Sequence, residues 1–232
     1  MFENLDELDY LRERLNDEFY QLFEDRGYLN LGWVDVGFIY LFSKNPISTP
    51  EDLSAAKLWV WAGDPLAELF FKAFGISPIP LAAPDVLTSL QTGIIDAVYN
   101  SPLGSMALQW FTRIDYMTDV PITHGRGAAL VSQEALAKVD PGDVQILLEV
   151  SRPLLRQLTE RTREQDTEAI EEMKKEGVEV VSVPDAIRTD FFATGREAWD
   201  DGVNQLYSRE LLDRVIDILT EYRAGRVNTG SQ

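Results

Sequence analysis

The side chains that could do chemistry in this chain are carboxylates, aromatic rings and a few isolated polar groups, and their spacing matches no catalytic pattern. The 232 residues include no cysteine and one histidine, His124. This composition excludes a cysteine nucleophile, a disulfide frame, a thiolate metal site and a multi-histidine zinc site. The stretch Gly125-Arg126-Gly127 lacks the third glycine of a dinucleotide-binding loop, and no serine stands in a nucleophile elbow.

We therefore predict a protein that is not an enzyme and that holds no metal and no cofactor. A hydrolase that uses only carboxylates is the catalytic alternative, with adjacent acids such as Glu171 and Glu172 as its candidates. These two residues lie in a polar helical run, so a solvated surface is the simpler interpretation.

Several aromatic and polar residues near predicted strand ends are candidates for a binding pocket. Trp59 and Trp61 alternate along one predicted strand and should face the same side. Tyr99 and Asn100 end another predicted strand, just before Ser101, and the carboxyl ends of sheet strands line clefts. Packing in the core is the alternative role for the aromatic residues, and a turn is the alternative for Asn100.

Two further candidates lie on runs that should cross between two parts of the molecule. Tyr40 is on the first run with Trp33 and Phe38, where structural packing is the alternative for at least one of them. Arg126 is on the second run, next to His124, and could bind an anionic end of a ligand; a solvated loop arginine is the equal alternative. The predicted ligand-binding set is Tyr40, Trp59, Trp61, Tyr99, Asn100, Ser101 and Arg126.

The charge balance excludes two classes of partner. Lysine and arginine total 21 against 39 aspartate and glutamate residues, which gives a net charge of −18. Such a charge argues against nucleic acid or an anionic membrane surface as the target. No apolar run is long enough to span a bilayer, and residues 1–6 lack the pattern of a signal peptide. We expect a soluble chain whose compartment no targeting segment reveals.

The elements that must position these candidates begin with an amphipathic helix that ends near Gly27 and has a capping-box start at Asn4 and Glu7. Its apolar face consists of Leu8, Leu11, Leu15, Phe19 and Leu22. Two β-rich runs follow, at 28–34 and 37–42.

Alternating strands and helices come next. Strands are predicted at 57–61, 77–81 and 94–99, and Gly93 closes the helix before the third of them. This order indicates a parallel or mixed sheet covered by helices. We expect these three strands and a later one at 178–183 to share one sheet.

A long helical stretch at 140–175 should bridge two bodies. Its middle, 159–168, is polar all round, which is typical of a helix that crosses solvent between packed units. Pro153 should kink or split it. A chain that crosses more than once between lobes is typical of a binding protein that closes a cleft.

These elements predict an α/β fold with two lobes, like that of periplasmic binding proteins, with an interdomain cleft and a long bridging helix. Lobe one would contain residues 1–36 and 125–164. Lobe two would contain residues 37–124 and 165–223, and residues 224–232 would form a flexible tail.

Three blocks of the sequence share their residues and spacing with a known family. They are Pro50-Glu51-Asp52-Leu53 with Lys57-Leu58-Trp59-Val60, the stretch Gly75 to Leu81, and the stretch Asp85 to Asp96, which contains the specific run Leu90-Gln91-Thr92-Gly93-Ile94-Ile95-Asp96. They resemble the DctP-like solute receptors of TRAP transporters, from about the first helix to near Tyr222. The resemblance implies a two-lobed periplasmic receptor that closes on a small organic solute and delivers it to a membrane permease.

One departure from that family concerns the start of the chain. Family members carry a further segment ahead of the first helix, which predicts that lobe one is truncated at its N-terminus. Apolar faces of Leu8, Leu11 and Leu15, or of the strand at 38–42, would then lack cover, and such patches favour self-association. We therefore expect a dimer or larger homo-oligomer.

The other departure concerns ligand chemistry. The resemblance places Trp59 where most of the family has an arginine that pairs with the carboxylate of the solute. A larger and more apolar ligand is therefore expected, and Trp59→Ala should weaken its binding. Trp59-Val60-Trp61 with Asp64 is similar to a branch associated with a tetratricopeptide-repeat partner protein.

The resemblance thus implies the substrate-binding component of a TRAP-type transporter, located in the periplasm or otherwise outside the cytoplasm. The alternative is a truncated receptor that binds no solute and serves as a scaffold for a partner protein.

Overall fold

The computed structural model describes the backbone of residues 4–229 and the side chains of residues 4–225. The helices are α1 (Leu5–Glu24), α2 (Pro50–Ala55), α3 (Pro65–Ala73), α4 (Ala83–Thr92), α5 (Pro102–Ala107), α6 (Gln133–Leu136), α7 (Pro141–Lys175), α8 (Asp185–Gly202) and α9 (Arg209–Thr229). The strands are β1 (Tyr28–Ser43), β2 (Trp59–Trp61), β3 (Ile79–Leu81), β4 (Ala97–Asn100), β5 (Tyr116–Thr118), β6 (Thr123–Ser132) and β7 (Glu179–Val181). A 3₁₀ turn at Trp110–Arg113 follows α5. The helix α9 runs into the segment predicted as a tail, and residues 230–232 lie outside the described part.

Strand β1 connects two parts of the molecule, one built around its pairing with β6 and the other around its pairing with β4 and β5. Most of it, from Tyr28 to Ile39, pairs with β6, and its last residues, from Tyr40 to Ser43, pair with β4 and β5. At 16 residues it extends about 50 Å. The sequence predicted two separate runs here. The structure joins them, because the residues between the runs form a bulge, where the register shifts between Asp35 and Gly37.

The strands form two sheets, not one. Strands β4, β1, β5 and β7 lie side by side, with β6 also paired to β1, whereas β2 and β3 form a separate parallel pair. A single bridge between Leu58 and Ala97 links the two sheets. The four strands predicted to share a sheet are therefore divided between them. They still enclose a common core, in which Trp59 packs with Val98, Met117 and Val178.

The local signals at helix ends are present in the structure, except that the box predicted at Asn4 and Glu7 is half formed, since the Glu7 carboxylate accepts hydrogen bonds from Arg223. The Asn4 side chain accepts a hydrogen bond from the Glu7 amide at the start of α1. Thr49 and Asp52 form a complete capping box at α2, and Gly93 closes α4 with a φ of 75° in the left-handed region. These signals depend on residues close in sequence, so they can be identified without knowing the tertiary structure.

The apolar face of α1 has cover from within the chain. Leu11 and Leu15 form a small core with Ile218 and Leu219 of α9, and Leu8 is buried as well. In the strand predicted to be uncovered, Ile39, Leu41 and Phe42 are also buried. The expectation that these faces would lack cover is therefore wrong, because the C-terminal helix packs back on α1 and the helices of the second part cover the strand.

The long helix α7 is one uninterrupted element of 35 residues. Pro153 does not split it. The proline is exposed, and the carbonyl that it leaves without its usual partner belongs to Glu149, another exposed residue. Leu155 of α7 lies against Gly32 of β1, and Met173 belongs to the core around Phe42. The helix therefore contacts both ends of β1, as predicted for a bridging helix.

No helix in the described part of the chain has both the length and the apolar character needed to cross a membrane.

Candidate functional site

Five of the predicted ligand-binding residues lie at or next to the carboxyl ends of β2 and β4. We call Tyr40, Trp61, Tyr99, Asn100 and Ser101 the strand-end group. Trp61 is the last residue of β2 and is 57% exposed. Its amide donates a hydrogen bond of 3.3 Å to the hydroxyl of Tyr99, which in turn donates to the Asp64 carboxylate at 2.9 Å. Burial and the nearby Asp64 raise the pKa of Tyr99, so the phenol stays neutral. The link between the two strand ends is therefore a pair of hydrogen bonds through a neutral phenol.

Trp59 lies beneath this surface and not on it. It is 2% exposed and stacks on Tyr99, with 5.2 Å between ring centroids, and its Nε1 donates to the carbonyl of Leu81 at 3.0 Å. Trp110 packs edge-on against its other side. Trp59 thus supports Tyr99 from below and does not line a cleft in this structure.

Tyr40, Asn100 and Ser101 form the second half of the strand-end group. Tyr40 and Asn100 are partners across β1 and β4. The Asn100 side chain accepts a hydrogen bond from the Ser101 amide at 2.8 Å, and the buried Ser101 hydroxyl accepts one from the Gly104 amide at 3.1 Å. Asn100 and Ser101 together begin α5, so the turn role that was the alternative for Asn100 is present, and Asn100 also remains partly exposed.

Asp166 of α7 reaches across to this group. Its Oδ1 accepts a hydrogen bond from the Leu103 amide at 3.0 Å, and Oδ2 packs on the bare Cα of Gly37. A side chain at Gly37 would start 1.7 Å from that oxygen, so only glycine fits, and its φ of 108° also favours glycine. Desolvation raises the pKa of Asp166 to about 6. The sequence analysis missed this carboxylate, because a polar run on a helix gave no sign that one of its acids would be half-buried.

Arg126 lies apart from the strand-end group. It is paired across the strands with Asp35, and its guanidinium lies 4.6 Å from the ring of Trp33. Asp35 precedes Tyr40 by five residues, which is about 17 Å along an extended strand. The structure therefore does not bring Arg126 to the other predicted residues.

A buried ionic network fixes α7 to β1 and α1. Asp35 is 2% exposed and accepts hydrogen bonds from Arg12 at 2.6 Å and from Arg163 at 2.8 Å. Arg163 also binds both carboxylate oxygens of Asp9 on α1, and these hydrogen bonds raise its pKa. Burial and the nearby Arg12 lower the pKa of His124 to about 4, so this imidazole is neutral at physiological pH. The network is structural, since its charges are paired with one another.

Two adjacent apolar cavities lie beside the strand-end group. One has a volume of about 300 Å³ and lies between α1, α3, α8 and α9. The other, of about 130 Å³, is lined by Asp64 and Tyr99. Leu66, Ile122 and Phe192 are among the residues that line both. Tyr99 and Asp64 thus border apolar space, and a few polar groups beside an apolar cavity are the usual make-up of a site for a small organic molecule. Among the described residues, no group of histidine, aspartate and glutamate is arranged to hold a metal ion.

Comparisons with known proteins agree with this arrangement. Residues 1–206 match the DctP family, described as bacterial extracellular solute-binding protein, family 7. The chain is 24% identical over 176 residues to a solute-binding protein of Verminephrobacter eiseniae, covering 75% of this chain and 52% of that protein. It is 36% identical over 86 residues to the ectoine-binding periplasmic protein TeaA of Halomonas elongata, covering 37% of this chain and 25% of TeaA.

Solved structures show the same fold. The periplasmic ectoine-binding protein of the TeaABC TRAP transporter of Halomonas elongata superposes with a TM-score of 0.84 at 23% identity, covering 95% of this chain and 73% of that one. DctP7 of Bordetella pertussis, an extracytoplasmic solute receptor binding pyroglutamic acid, gives 0.83 at 16% identity, covering 94% and 71%. The chain spans about half the length, or less, of the curated relatives named here. The family match, which extends over most of the chain, shows that this protein belongs to the DctP family of bacterial extracellular solute-binding proteins.

Proposed function

We propose that this protein is the solute receptor of a TRAP-type transporter: it captures a small organic molecule outside the cytoplasm and delivers it to a membrane permease. The observation that carries the proposal is the strand-end group, in which exposed Trp61 is hydrogen-bonded to Tyr99 and Tyr99 lines one of the two adjacent apolar cavities. The bridging elements β1, β6 and α7 connect this group to the other part of the molecule. That arrangement supports a receptor whose two parts approach each other around a ligand.

We further propose that the solute is neutral or zwitterionic. Asp64 accepts a hydrogen bond from Tyr99, and Asp166 accepts one from the Leu103 amide, two residues beyond Ser101, so both carboxylates would repel a small dicarboxylate. Arg126 lies on β6 opposite Asp35, too far from Tyr40 to compensate, and the resemblance places Trp59, which is buried and uncharged, where most of the family has a carboxylate-binding arginine. A carboxylate that is buried without a partner costs several kcal/mol. Ectoine, named as the ligand of TeaA, carries a positive charge within the same molecule as its carboxylate, so it brings no net negative charge and is the first probe.

Native mass spectrometry of the purified protein tests for a retained solute directly. Calorimetry then compares ectoine, pyroglutamate and succinate, and we expect ectoine to bind more tightly than succinate. A bound ligand also stabilises the fold, by about 2.7 kcal/mol at a hundredfold excess over Kd. Micromolar binding of succinate would contradict the proposed solute class but would leave the receptor function intact.

Variants locate the site. Asn100→Ala and Trp61→Ala should each weaken binding about tenfold, since each removes one contact worth roughly 1 to 2 kcal/mol. Ile94→Ala, at another exposed apolar residue, is the matched control and should bind normally. No retained solute, together with no binding of any of the three probes, would favour the scaffold alternative over the receptor.

A further inference from the structure

The outer side of α7 carries an apolar row that nothing in the described part of the chain covers. Ile146, Val150, Leu154 and Leu158 follow one another at intervals of four residues and are each between 45% and 57% exposed. Residues at this spacing are neighbours on one side of a helix. The opposite side of α7 packs on β1 through Leu155. The row is therefore a surface and not a loose part of the core.

Two opposite charges mark the ends of this row. Asp143 lies in the first turn of α7, and Arg161 lies about five turns later on the same line along the helix. Both side chains are exposed. Neither makes an ion pair with another residue in the part of the chain that the structure describes. The sequence of surface groups along the row is acid, four apolar side chains, base.

We propose that this row binds a second copy of the same chain, with the two α7 helices antiparallel across a two-fold axis near residue 152. In that arrangement Asp143 of each copy faces Arg161 of the other. Ile146 faces Leu158, and Val150 faces Leu154. A two-fold interface uses one patch twice, so the patch must be complementary to itself when reversed, and this row is. A parallel pairing would instead place Asp143 against Asp143.

The interface is small and must work against the net charge of −18 on each copy. Two helices contribute less area than a standard stable interface, so a dissociation constant on the order of micromolar is expected. The surface differs from the α1 face expected from sequence alone, which α9 covers.

Sedimentation equilibrium of the 232-residue protein at physiological salt measures the dimer directly. We expect Leu154→Glu to raise the dissociation constant at least about tenfold, because it places a charge in the centre of the apolar row. Ile94→Glu is the matched control, since Ile94 is 55% exposed and lies elsewhere on the surface, and it should leave the dimer unchanged. A wild-type protein that stays monomeric to about 100 μM, well above the expected dissociation constant, would overturn the proposal.

Charge exchange tests the orientation of the helices. Asp143→Arg and Arg161→Asp each place like charges opposite one another twice per dimer, so each should weaken association by about tenfold. The double variant restores opposite charges in the antiparallel arrangement and should return to within about twofold of the wild type. Two weak single variants without rescue in the double variant would overturn the antiparallel pairing, and so would single variants that dimerise normally.

Discussion

Trp59 and Trp61 lie two residues apart on one short strand, yet the structure gives them different roles. Their alternation was visible in the sequence and correctly indicates the same side of the strand. What the sequence does not show is how far the covering layer extends, since that layer comes from Tyr99 and from Trp110 in the 3₁₀ turn. The cover ends between the two tryptophans, so the first is core and the second is surface.

This difference predicts a large loss of stability for one alanine substitution and almost none for the other. Trp59→Ala should lower the free energy of unfolding by about 3 to 5 kcal/mol, because it opens a cavity in the core and removes one of the two donors to the Leu81 carbonyl. Trp61→Ala should lower it by less than about 0.5 kcal/mol, because most of that side chain is already in water. Urea denaturation followed by circular dichroism measures both. Equal losses in the two variants would mean that Trp59 is not a core residue.

The pKa of Asp166 gives a second prediction for a single residue. Desolvation raises it to about 6, above the value of about 3.9 expected in the unfolded chain. The folded state therefore binds more protons between about pH 4 and 6, and this carboxyl lowers stability as pH rises through that range, by roughly 1 to 3 kcal/mol.

Asp166→Asn removes this titration and can keep the bond from the Leu103 amide. The variant should be more stable than the wild type at about pH 7.5, and its advantage should shrink towards about pH 4.5, where the wild-type carboxyl is protonated in the folded state. Urea denaturation at the two pH values gives the comparison. An advantage that is the same at both would show that Asp166 ionises normally.

At the scale of elements, α7 shows how a polar run can be structural. The run at 159–168 predicted a bridge, and the bridge is present. The pattern did not reveal which of its polar groups turn inward. Thr159 binds the backbone of β1, Arg163 joins Asp9 to Asp35, and Asp166 reaches Leu103. Each of these partners lies far away in sequence, so the pairing depends on a tertiary arrangement that no local pattern encodes.

Among the ionic contacts of these elements, the network around Asp35 should lose the most stability when one of its residues is replaced. Asp35→Ala would leave two guanidinium groups of the interior without their shared carboxylate, which should cost about 3 to 5 kcal/mol of stability. Asp9→Ala removes a partner of Arg163 that is half-exposed, and it should cost about 1 kcal/mol or less. Thermal unfolding of the two variants provides the measurement. A small loss for Asp35→Ala would mean that water reaches the network freely.

At the scale of the whole molecule, the fold class was readable because the order of strands and helices and the family resemblance agree. The division into two sheets was not readable. The short strands β2 and β3 pair with each other, and only the bridge from Leu58 to Ala97 extends the pairing to β4. Three-residue strands carry too few side chains to specify a neighbouring strand, so tertiary packing decides it.

Receptor closure can be followed through Trp61. Because this indole is more than half exposed and lies in the strand-end group, closing the two parts around a solute should transfer it from water to an apolar environment. Trp59 and Trp110 are already buried and should change little. We therefore expect the tryptophan emission to shift to shorter wavelength when ectoine is added, with a midpoint that matches the calorimetric Kd. Trp33 and Trp199 are partly exposed, and Trp199 lines both cavities, so the contribution of Trp61 must be isolated with a variant.

The variant Trp61→Phe provides the matched control, because phenylalanine keeps an aromatic ring at the strand end and removes the indole. It should still bind ectoine, within about tenfold of the wild type, since the substitution removes only the indole N–H and part of the aromatic surface. Its emission should no longer shift. If the shift persists in full in Trp61→Phe, another tryptophan, such as Trp199 of the cavities, reports the change and Trp61 is not the residue that closure covers. If ectoine binds the wild type without any shift, the receptor does not close over Trp61.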